Sequence, residues 1–197
     1  MTWLTQLFIA STSPNKIKEL KAGLESGPFY IMPGECPPIE ETGSTFEENA
    51  KIKAITFANQ LWKPALGDDS GLCIHALDGA PGIFSNRWKG DSGTYEEAFQ
   101  KIKDALDKAN TKDFSATFVC ALAHYEPISK KLGTFEGRVE GEIVFPPRGH
   151  NGFGYDSIFV PKGSSKTFAE MTFEEKMKCS HRTIALQKLV EWFVKFG

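Results

Sequence analysis

The sequence predicts an α/β fold in which a mixed β-sheet is flanked by helices. Apolar runs with the length of strands alternate with segments of helical periodicity, and two long strand-like runs follow each other as in a hairpin. The chain has 197 residues, of which 41% are hydrophobic, and it can bury the core of one large domain or of two lobes that share a sheet. Because no repeat or linker interrupts the pattern, we expect a single domain over residues 1–197.

The N-terminal half begins with a strand and a helix that are separated by a hydroxyl-rich turn. Ser13 is a suitable N-cap, and Pro14 suits the first helical position. The apolar spacing of this helix places Glu19 on its outer face. Ser44 and Glu47 have the spacing of a capping box and predict the start of a second helix. The predicted elements are therefore a strand at 7–10, a helix from 14, one or two strands within 27–42 and a helix that ends near 61.

The C-terminal half is predicted to contain the hairpin and the last two helices. Thr94 and Glu97 repeat the capping-box spacing, at the start of a helix that reaches about residue 109. Two long runs, 114–125 and 131–144, are joined by a turn near Pro127 and predict the hairpin. The other predicted elements are a strand at 72–77, loops at 78–88 and 146–155, a strand at 157–160 and a closing helix at 183–196.

The composition argues against several classes of function. A formal net charge of -2 does not favour nucleic acid or a membrane surface as the main partner. No apolar run approaches the roughly 20 residues that span a bilayer, and the first residues lack the pattern of a signal peptide. The four cysteines are scattered without a C-x-x-C pair, which predicts free, buried thiols and a cytoplasmic location.

Two adjacent aspartates, Asp68 and Asp69, are the most informative feature of the chain. They lie between two apolar runs, in a segment (67–71) that we expect to be a turn between strands. Adjacent like charges cost free energy unless a cation or strong donors compensate them. Mg²⁺ takes carboxylate oxygens and keeps waters for a phosphate substrate, so it is a suitable cation. A solvated turn is the alternative, because Asp, Ser and Gly are common in turns.

Two more polar clusters could bind phosphate or metal. Residues 11–16 combine hydroxyls with a helix N-terminus and Lys16, which suits phosphate oxygens, although a capped helix alone would show the same pattern. Asn49 and Lys53 lie four residues apart on one face of the second helix, shortly after Glu41. They could therefore reach into one cleft together. A solvated Lys53 explains the sequence equally well.

A fourth polar cluster lies in the C-terminal part of the chain. Residues 149–156 alternate glycines with aromatics, which is typical of a loop that stacks on a planar base or of a turn with core aromatics. Lys176 and the segment 180–182 add donors at the start of the last helix, and they favour recognition of a base or phosphate. His181 could equally be a structural histidine.

Six motifs stand in order along nearly the whole chain, and together they resemble the inosine/xanthosine triphosphate pyrophosphatase family, the dITP/XTP diphosphatases. Any one of them is weak, but their order and spacing are specific. The motifs occupy residues 10–16, 41–54, 68–72, 79–87, 152–156 and 180–186.

The resemblance implies a long twisted mixed sheet, two lobes around a central cleft, and a homodimer. It also implies Mg²⁺-dependent hydrolysis of dITP, ITP and XTP to the monophosphate and pyrophosphate. By position, Asp69 would be the general base, Glu41 and Asp69 would hold Mg²⁺, and Asp68 would support them. The residues implied to contact the phosphates are Ser11, Thr12, Ser13, Pro14, Asn15, Lys16, Asn49, Lys53 and Ser70, and those implied to contact the purine are Phe153, Gly154, Tyr155, Asp156, Lys176, His181 and Arg182. Arg87 would lie in the cleft without an assigned role.

One departure and two alternatives accompany this interpretation. The family usually has Asn where this chain has Ser13, which has a shorter reach and no amide donor. A Maf-type pyrophosphatase that acts on modified pyrimidine nucleotides is the alternative enzyme, and the segments 153–156 and 180–182 argue against it. A nucleotide-binding sensor without turnover is the alternative outside the enzymes, and a sensor would not need the pair of Glu41 and Asp69.

Overall fold

The computed structural model describes residues 5–25, 27–32, 35–90 and 93–196. Its strands are β1 (Thr5–Ala10), β2 (Phe29–Ile31), β3 (Ala65–Ile74), β4 (Ser115–Glu126), β5 (Lys131–Ile143) and β6 (Phe159–Pro161), and its helices are α1 (Pro14–Leu24), α2 (Phe46–Leu61), α3 (Tyr95–Ala109), α4 (Phe173–Met177) and α5 (His181–Phe196). The strands form a six-stranded sheet in the order β2-β1-β3-β4-β5-β6. β2 and β3 pair with β1 in parallel, and β6 pairs with β5 antiparallel, so the predicted mixed α/β sheet is confirmed.

The chain divides into two compact units. Unit 1 consists of Met1–Asp69, Cys120–Gly137 and His181–Gly197, and unit 2 consists of Ser70–Val119 and Arg138–Ser180. The strands β3, β4 and β5 contribute residues to both units. The predicted single domain with a central cleft stays a prediction.

Unit 1 buries its core between strands and two helices that are distant in sequence. Leu20 from α1 and Leu189 from α5 share one hydrophobic cluster with Leu66 from β3. α2 contacts β3 closely, because a Cβ atom on Gly67 would lie 2.1 Å from the carbonyl oxygen of Ala50. Only glycine permits this approach, and it brings the N-terminal turns of α2 next to the aspartate pair.

Unit 2 is built around an aromatic core. The ring of Phe159 lies 4.8 Å from that of Phe118 and 5.3 Å from that of Phe168, measured between ring centroids. Tyr95 and Tyr155 form an edge-to-face pair at 5.3 Å. Such pairs combine a large buried apolar area with a preferred geometry, and they fix the segment around Tyr155 in this unit.

The start of α2 differs from the prediction by one residue. Thr45 is the N-cap, and its Oγ1 accepts a hydrogen bond from the backbone N–H of Glu48 at 3.1 Å. Ser44 instead donates its hydroxyl to the Glu48 carboxylate at 2.7 Å. Both Ser-x-x-Glu and Thr-x-x-Glu spacings are present in the sequence, so the pattern alone does not distinguish the two caps.

Several other boundaries need correction. Asp156–Ile158 is a 3₁₀ turn, and β6 begins only at Phe159. α5 begins at His181 rather than Thr183, which places two predicted binding residues in its first turn. α4 was not predicted, because a helix of 5 residues is too short for a periodic pattern. Within 27–42, the described residues contain one strand, β2.

The prediction of free, buried thiols is only partly correct. All four cysteines are free, but Cys120 alone is buried, whereas Cys36 and Cys73 are half-buried and Cys179 is exposed.

Among the described helices, none combines the length and the apolar character that crossing a membrane requires.

A buried histidine on β4, His124, makes unit 1 sensitive to acid. His124 is 3% exposed, its ring lies 4.7 Å from that of Phe193, and neither ring nitrogen has a hydrogen-bond partner among the described residues. Burial lowers the pKa of His124 from 6.5 to about 4. Between these values the unfolded chain binds a proton that the folded protein does not. The free energy of unfolding is therefore unaffected by His124 above about pH 6.5 and falls as the pH drops toward 4.

We expect His124→Leu to reduce this sensitivity. The lowered pKa of His124 reduces the free energy of unfolding at pH 5 by about 2 kcal/mol. The loss of stability between pH 7 and pH 5, measured by urea denaturation, should shrink by that amount in the variant. His150→Leu, which changes an exposed histidine, is the matched control and should behave as the unaltered protein does. An unchanged pH dependence in His124→Leu would show that the buried ring does not cause it.

Candidate active site

The two aspartates lie inside a continuous strand, so the predicted turn at 67–71 is wrong. β3 runs from Ala65 to Ile74, and both Asp68 and Asp69 are buried, at 1% and 5% exposure. Successive side chains of a strand point to opposite faces of the sheet. The two carboxylates therefore have different neighbours, and their pKa values are shifted in opposite directions.

Asp68 lies in a buried cluster of charges within unit 1. Its Oδ1 lies 2.7 Å from the Lys16 ammonium, and its Oδ2 accepts a hydrogen bond from Nε of Arg182 at 3.0 Å. Arg182 is 1% exposed and also pairs with Glu19, which is buried on α1. The predicted outer-face position of Glu19 is thus wrong. Glu19 and Leu20 lie three and four residues after Lys16, and this spacing puts all three on one face of the helix.

The charges of this cluster keep Asp68 ionised. Burial alone would raise its pKa, but Arg182 and Lys16 outweigh burial and hold the pKa of Asp68 well below its usual range. The thiol of Cys120 adds a contact to Oδ2 at 3.2 Å, and burial and Asp68 raise the pKa of this thiol well above its usual value. Asp68 therefore remains a carboxylate that accepts hydrogen bonds, and it is not suited to exchange a proton.

Asp69 has a different environment, formed by α2. The side-chain amide of Asn49 donates to its Oδ2 at 3.0 Å, and Nζ of Lys53 lies 3.8 Å from its Oδ1. Lys53 also pairs with Oε1 of Glu41 at 2.6 Å. Burial raises the pKa of Asp69 to about 6; Lys53 opposes this shift and the charge of Glu41 adds to it. A carboxyl group with this pKa can accept a proton near neutral pH.

The orientation of Asn49 follows from its two partners. The backbone N–H of Gly43 donates to Oδ1 of Asn49 at 2.8 Å. An N–H can only donate and an ionised carboxylate can only accept, so the NH₂ group of Asn49 must face Asp69. A Cβ atom on Gly43 would lie 2.7 Å from Oδ1 of Asn49, which explains glycine at this position. Asn49 is therefore placed to orient Asp69, and its predicted contact with substrate stays a prediction.

Glu41 and Asp69 fit a hard divalent cation. Both carboxylates face the same ammonium group, that of Lys53, so this place already attracts positive charge. The described residues contain no group of three or more metal-binding side chains. Mg²⁺ in a nucleotide site needs only one or two carboxylates, because waters and substrate phosphates complete its shell.

The turn before α1 is capped as predicted and faces solvent in part. Oγ of Ser13 accepts a hydrogen bond from the backbone N–H of Lys16 at 3.5 Å, and Oγ of Ser11 accepts from the N–H of Ser13 at 3.2 Å. Thr12, Pro14 and Asn15 are exposed. Ser13 thus provides the N-cap that Asn would provide. Ser70, the remaining residue predicted near the phosphates, is half-buried on β3 in unit 2.

A second polar cluster lies in unit 2. Nζ of Lys176 lies 2.5 Å from Oδ2 of Asp156, which also accepts a hydrogen bond from the backbone N–H of Phe153 at 2.8 Å. The ammonium lies 4.8 Å from the centroid of the Phe153 ring. Asp156 and Lys176 are each 3% exposed, and Phe153 and Gly154 are half-buried. Four predicted purine-binding residues therefore come together in this unit.

Tyr155 belongs to the core rather than to an open surface. It is 3% exposed, and its hydroxyl donates to the carbonyl oxygen of Ser85 at 2.7 Å. Oγ of Ser85 accepts a hydrogen bond from the backbone N–H of Leu72 at 3.0 Å. The sequence gave no signal for this role of Ser85. Tyr155 is thus placed to hold its segment in unit 2, and its predicted contact with the purine stays a prediction.

His181 begins α5 in unit 1 and is buried at 3% exposure. Ser180, at the end of unit 2, is completely buried. Arg87, for which no role was predicted, is exposed and lies over the ring of Phe84 at 5.1 Å. Sequence reasoning missed Glu19, Cys120 and Ser85, of which only Glu19 had a usable signal in its helical spacing.

Comparison with known proteins identifies the family. The sequence model of the Ham1 family matches residues 7–192. The chain belongs to the Ham1 family. Proteins called dITP/XTP pyrophosphatase are similar over nearly their whole length: that of Bacillus licheniformis is 42% identical over 190 residues, with 94% of this chain and 96% of the relative covered, and that of Caulobacter vibrioides is 44% identical over 186 residues, with 93% and 95% covered.

Solved structures of Ham1 proteins have the same fold. The HAM1 protein from Coxiella burnetii superposes with a TM-score of 0.89 at 42% identity, covering 97% of this chain and 99% of that one. The Ham1 protein of Staphylococcus aureus gives a TM-score of 0.84 at 36% identity, covering 98% and 100%. The resemblance inferred from the six motifs is therefore confirmed.

Proposed function

We propose that this Ham1-family protein hydrolyses the non-canonical purine nucleoside triphosphates dITP, ITP and XTP to the monophosphate and pyrophosphate, and so cleanses the nucleotide pool. The observation that carries the proposal is the contrast between two adjacent buried carboxylates. Asp68 is held ionised by Arg182 and Lys16, whereas the pKa of Asp69 is raised to about 6. Such pairs with separated pKa values are typical of acid–base sites. The names of the Bacillus and Caulobacter relatives support the substrate class.

In the proposed reaction, Asp69 takes a proton from a water molecule. The water oxygen forms a bond to the α-phosphorus, the bond from this phosphorus to its bridging oxygen breaks, and pyrophosphate leaves with the electron pair. Asn49 fixes the orientation of Asp69 through its amide. Lys16 and Lys53 contribute positive charge where the leaving group becomes more negative.

The phosphate chain is proposed to bind at the start of α1. Residues 11–15 carry hydroxyls and backbone N–H groups and form the N-terminus of α1, a position that favours anions. Pro14 has no N–H and contributes by fixing the turn. Ser70 is proposed to add a hydroxyl to this set. The ammonium of Lys16 has three donors, so its ion pair with Asp68 leaves it able to contact a phosphate.

Mg²⁺ is proposed to bind Glu41 and Asp69. When bound, it supplies positive charge to the phosphate oxygens and lowers the barrier for attack on phosphorus. Lys53 would then exchange its contacts with these carboxylates for contacts with phosphate oxygens. Its position between Glu41 and Asp69 suits this exchange.

The purine is proposed to contact the residues that the family resemblance implies for it. Phe153 offers a half-buried ring for stacking, and Asp156 and Lys176 offer an acceptor and a donor for the base edge. His181 is proposed to donate to the 6-oxo group that hypoxanthine and xanthine carry. The amine of adenine would leave such donors unpaired, and an unpaired buried donor gives large discrimination. Arg182 is proposed to act on the substrate through Asp68, in view of its ion pairs.

Pyrophosphate release from dITP, XTP, dATP and dGTP, with Mg²⁺ and with EDTA, tests this function. We expect release from dITP and XTP only when Mg²⁺ is present. Pyrophosphate release from dATP should be slower than from dITP by about 10⁴-fold, as for other sites that hydrogen-bond the group that distinguishes two substrates. EDTA should reduce the rate to background. Equal rates on all four nucleotides would refute the proposed reading of the base, and release that persists in EDTA would refute the metal. The same assay with dUTP and methylated UTP tests the Maf-type alternative, which the names of the relatives do not support. Release confined to these two nucleotides would favour that alternative.

The remaining proposals concern the state of the protein in the cell. We propose a homodimer, as the family resemblance implies, and a cytoplasmic location with a nucleotide as the partner rather than nucleic acid or a membrane. Light scattering of the purified protein tests the dimer, because it gives the molar mass without reference to activity.

A further inference from the structure

We infer that Cys120 is a positioning residue, whose thiol donates a hydrogen bond that fixes the Asp68 carboxylate for Lys16 and Arg182. Sγ of Cys120 lies 3.2 Å from Oδ2 of Asp68, and both side chains are buried. This role deepens the proposed function and rests on it for its kinetic part. The contact itself can be tested without turnover.

The direction of the hydrogen bond follows from the charges around Asp68. Two buried or half-buried cations, Lys16 and Arg182, keep this carboxylate ionised, so it can only accept. The Cys120 sulfur, 3.2 Å from Oδ2, must then be the donor. A thiol is a weak donor, but a hydrogen bond to a charged acceptor is stronger than one between neutral groups.

The three contacts together define the plane of the carboxylate. Lys16 binds Oδ1, whereas Nε of Arg182 and Sγ of Cys120 both reach Oδ2. Lys16 and Arg182 are long side chains with many rotatable bonds. Cys120 has a single side-chain torsion and stands on β4, the strand next to β3 in the sheet. It therefore fixes Oδ2 at a low cost in side-chain entropy.

Holding Asp68 in place matters for the reaction because Asp68 positions a proposed phosphate ligand. Lys16, the partner of Asp68, lies at the start of α1. The residue that follows Asp68 in the sequence is the proposed base, Asp69. A carboxylate free to rotate would let the Lys16 ammonium move with it. Misplacement of a charge that acts on the leaving group reduces its effect in the transition state.

The order of activity among three variants tests the inference. Cys120→Ser keeps a hydrogen-bond donor to Asp68, whereas Cys120→Ala and Cys120→Val have none. Of the three replacements, Val best fills the apolar space of the hydrophobic cluster around Cys120. We expect kcat/KM for dITP to fall about tenfold in Ala and Val, the size expected for one hydrogen bond to a charged group, and to stay within about threefold of the unaltered protein in Ser. If Cys120 only fills space, Val will be more active than Ser, and the inference is wrong.

Leu122→Val is the matched control. Leu122 lies on the same strand and in the same hydrophobic cluster as Cys120, so its truncation weakens the same core without touching the proposed donor. We expect this variant to lower the urea midpoint and to leave kcat and KM unchanged. A loss of kcat/KM as large as in Cys120→Ala would assign both effects to packing and overturn the inference.

The infrared S–H stretching band provides a readout that does not depend on activity. The difference spectrum between the unaltered protein and Cys120→Ser isolates the band of Cys120, and the corresponding spectrum with Cys179→Ser isolates that of the exposed Cys179. A thiol that donates to a carboxylate should absorb at a lower frequency than Cys179, whose sulfur lies 3.6 Å from a carbonyl oxygen. Equal frequencies would refute the hydrogen bond. A shifted band in a protein that releases no pyrophosphate would refute the proposed function and keep the contact.

Discussion

Replacing Asp69 by Asn is expected to lower kcat for dITP by about 10²–10⁴-fold, the range attributed to a general base, while dITP still binds. Asn is nearly isosteric with Asp but cannot take the proton of the attacking water. Its side-chain oxygen can still accept the hydrogen bond that Asn49 donates at 3.0 Å. Pyrophosphate release gives kcat, and isothermal titration calorimetry with dITP gives the affinity.

Asp104→Asn is the matched control for this substitution. Asp104 is exposed on α3, so the same chemical change there should alter neither kcat nor affinity. If Asp69→Asn loses binding and stability together with turnover, Asp69 has a structural role and the proposed base must be sought elsewhere. If it keeps full turnover, Asp69 is not the base.

Replacing Asp68 by Asn is expected to lower the free energy of unfolding by about 3–5 kcal/mol, the cost of breaking a buried ion pair by removing one partner. Asp68 has no exposed side-chain surface, and Lys16 and Arg182 would both lose a charged partner. The removal of one negative charge leaves an uncompensated positive charge in the interior of unit 1. Urea denaturation at pH 7 gives the change, provided the slope of the transition is unchanged.

Glu47→Gln removes a partner of an exposed ion pair and is the control for Asp68→Asn. Glu47 pairs with Lys51 one turn further along α2, and the two side chains are 49% and 34% exposed. We expect it to change the free energy of unfolding by less than about 1 kcal/mol, as for other surface pairs. Similar losses in both variants would show that the Asp68 cluster is solvated in solution.

The four charges around Asp68 explain why such a cluster can be buried. Lys16 and Arg182 carry two positive charges, and Glu19 and Asp68 carry two negative charges. Each charge lies against an opposite one, so the cluster is neutral as a whole. An apolar core would cost less free energy to fold, and we attribute the cluster to the need to hold the Lys16 cation in place for its proposed contact with phosphate.

Much of the fold and of the candidate site could be predicted from local sequence. The alternation of strands and helices, the cap at Ser13 and the hairpin depend on neighbours in the chain, and the structure agrees with them. Asn49 and Lys53 were predicted to act together because a helix brings residues four apart to one face. Both contact Asp69 in the structure. The motifs also identified the family, since their order along the chain is specific.

The environment of each side chain could not be predicted in this way. The glycines beside Asp68 and Asp69 suggested a turn, but Gly67 is needed for the approach of Ala50 on α2, a contact that no local pattern shows. The packing of Tyr155 could not be predicted either, because aromatic residues suit both a ligand and a core. Tyr155 contacts Ser85, which is 70 residues away in the sequence.

Local sequence is enough to predict which chemical groups this protein has and which elements carry them, because capping, periodicity and motif order act over short stretches of chain. Tertiary structure decided what those groups can do. Arg182 meets Asp68 across 114 residues in the sequence, and its charge, with that of Lys16, holds the pKa of Asp68 low, whereas burial raises that of Asp69. Burial and the distance to other charges set a pKa, and both exist only once the chain has folded.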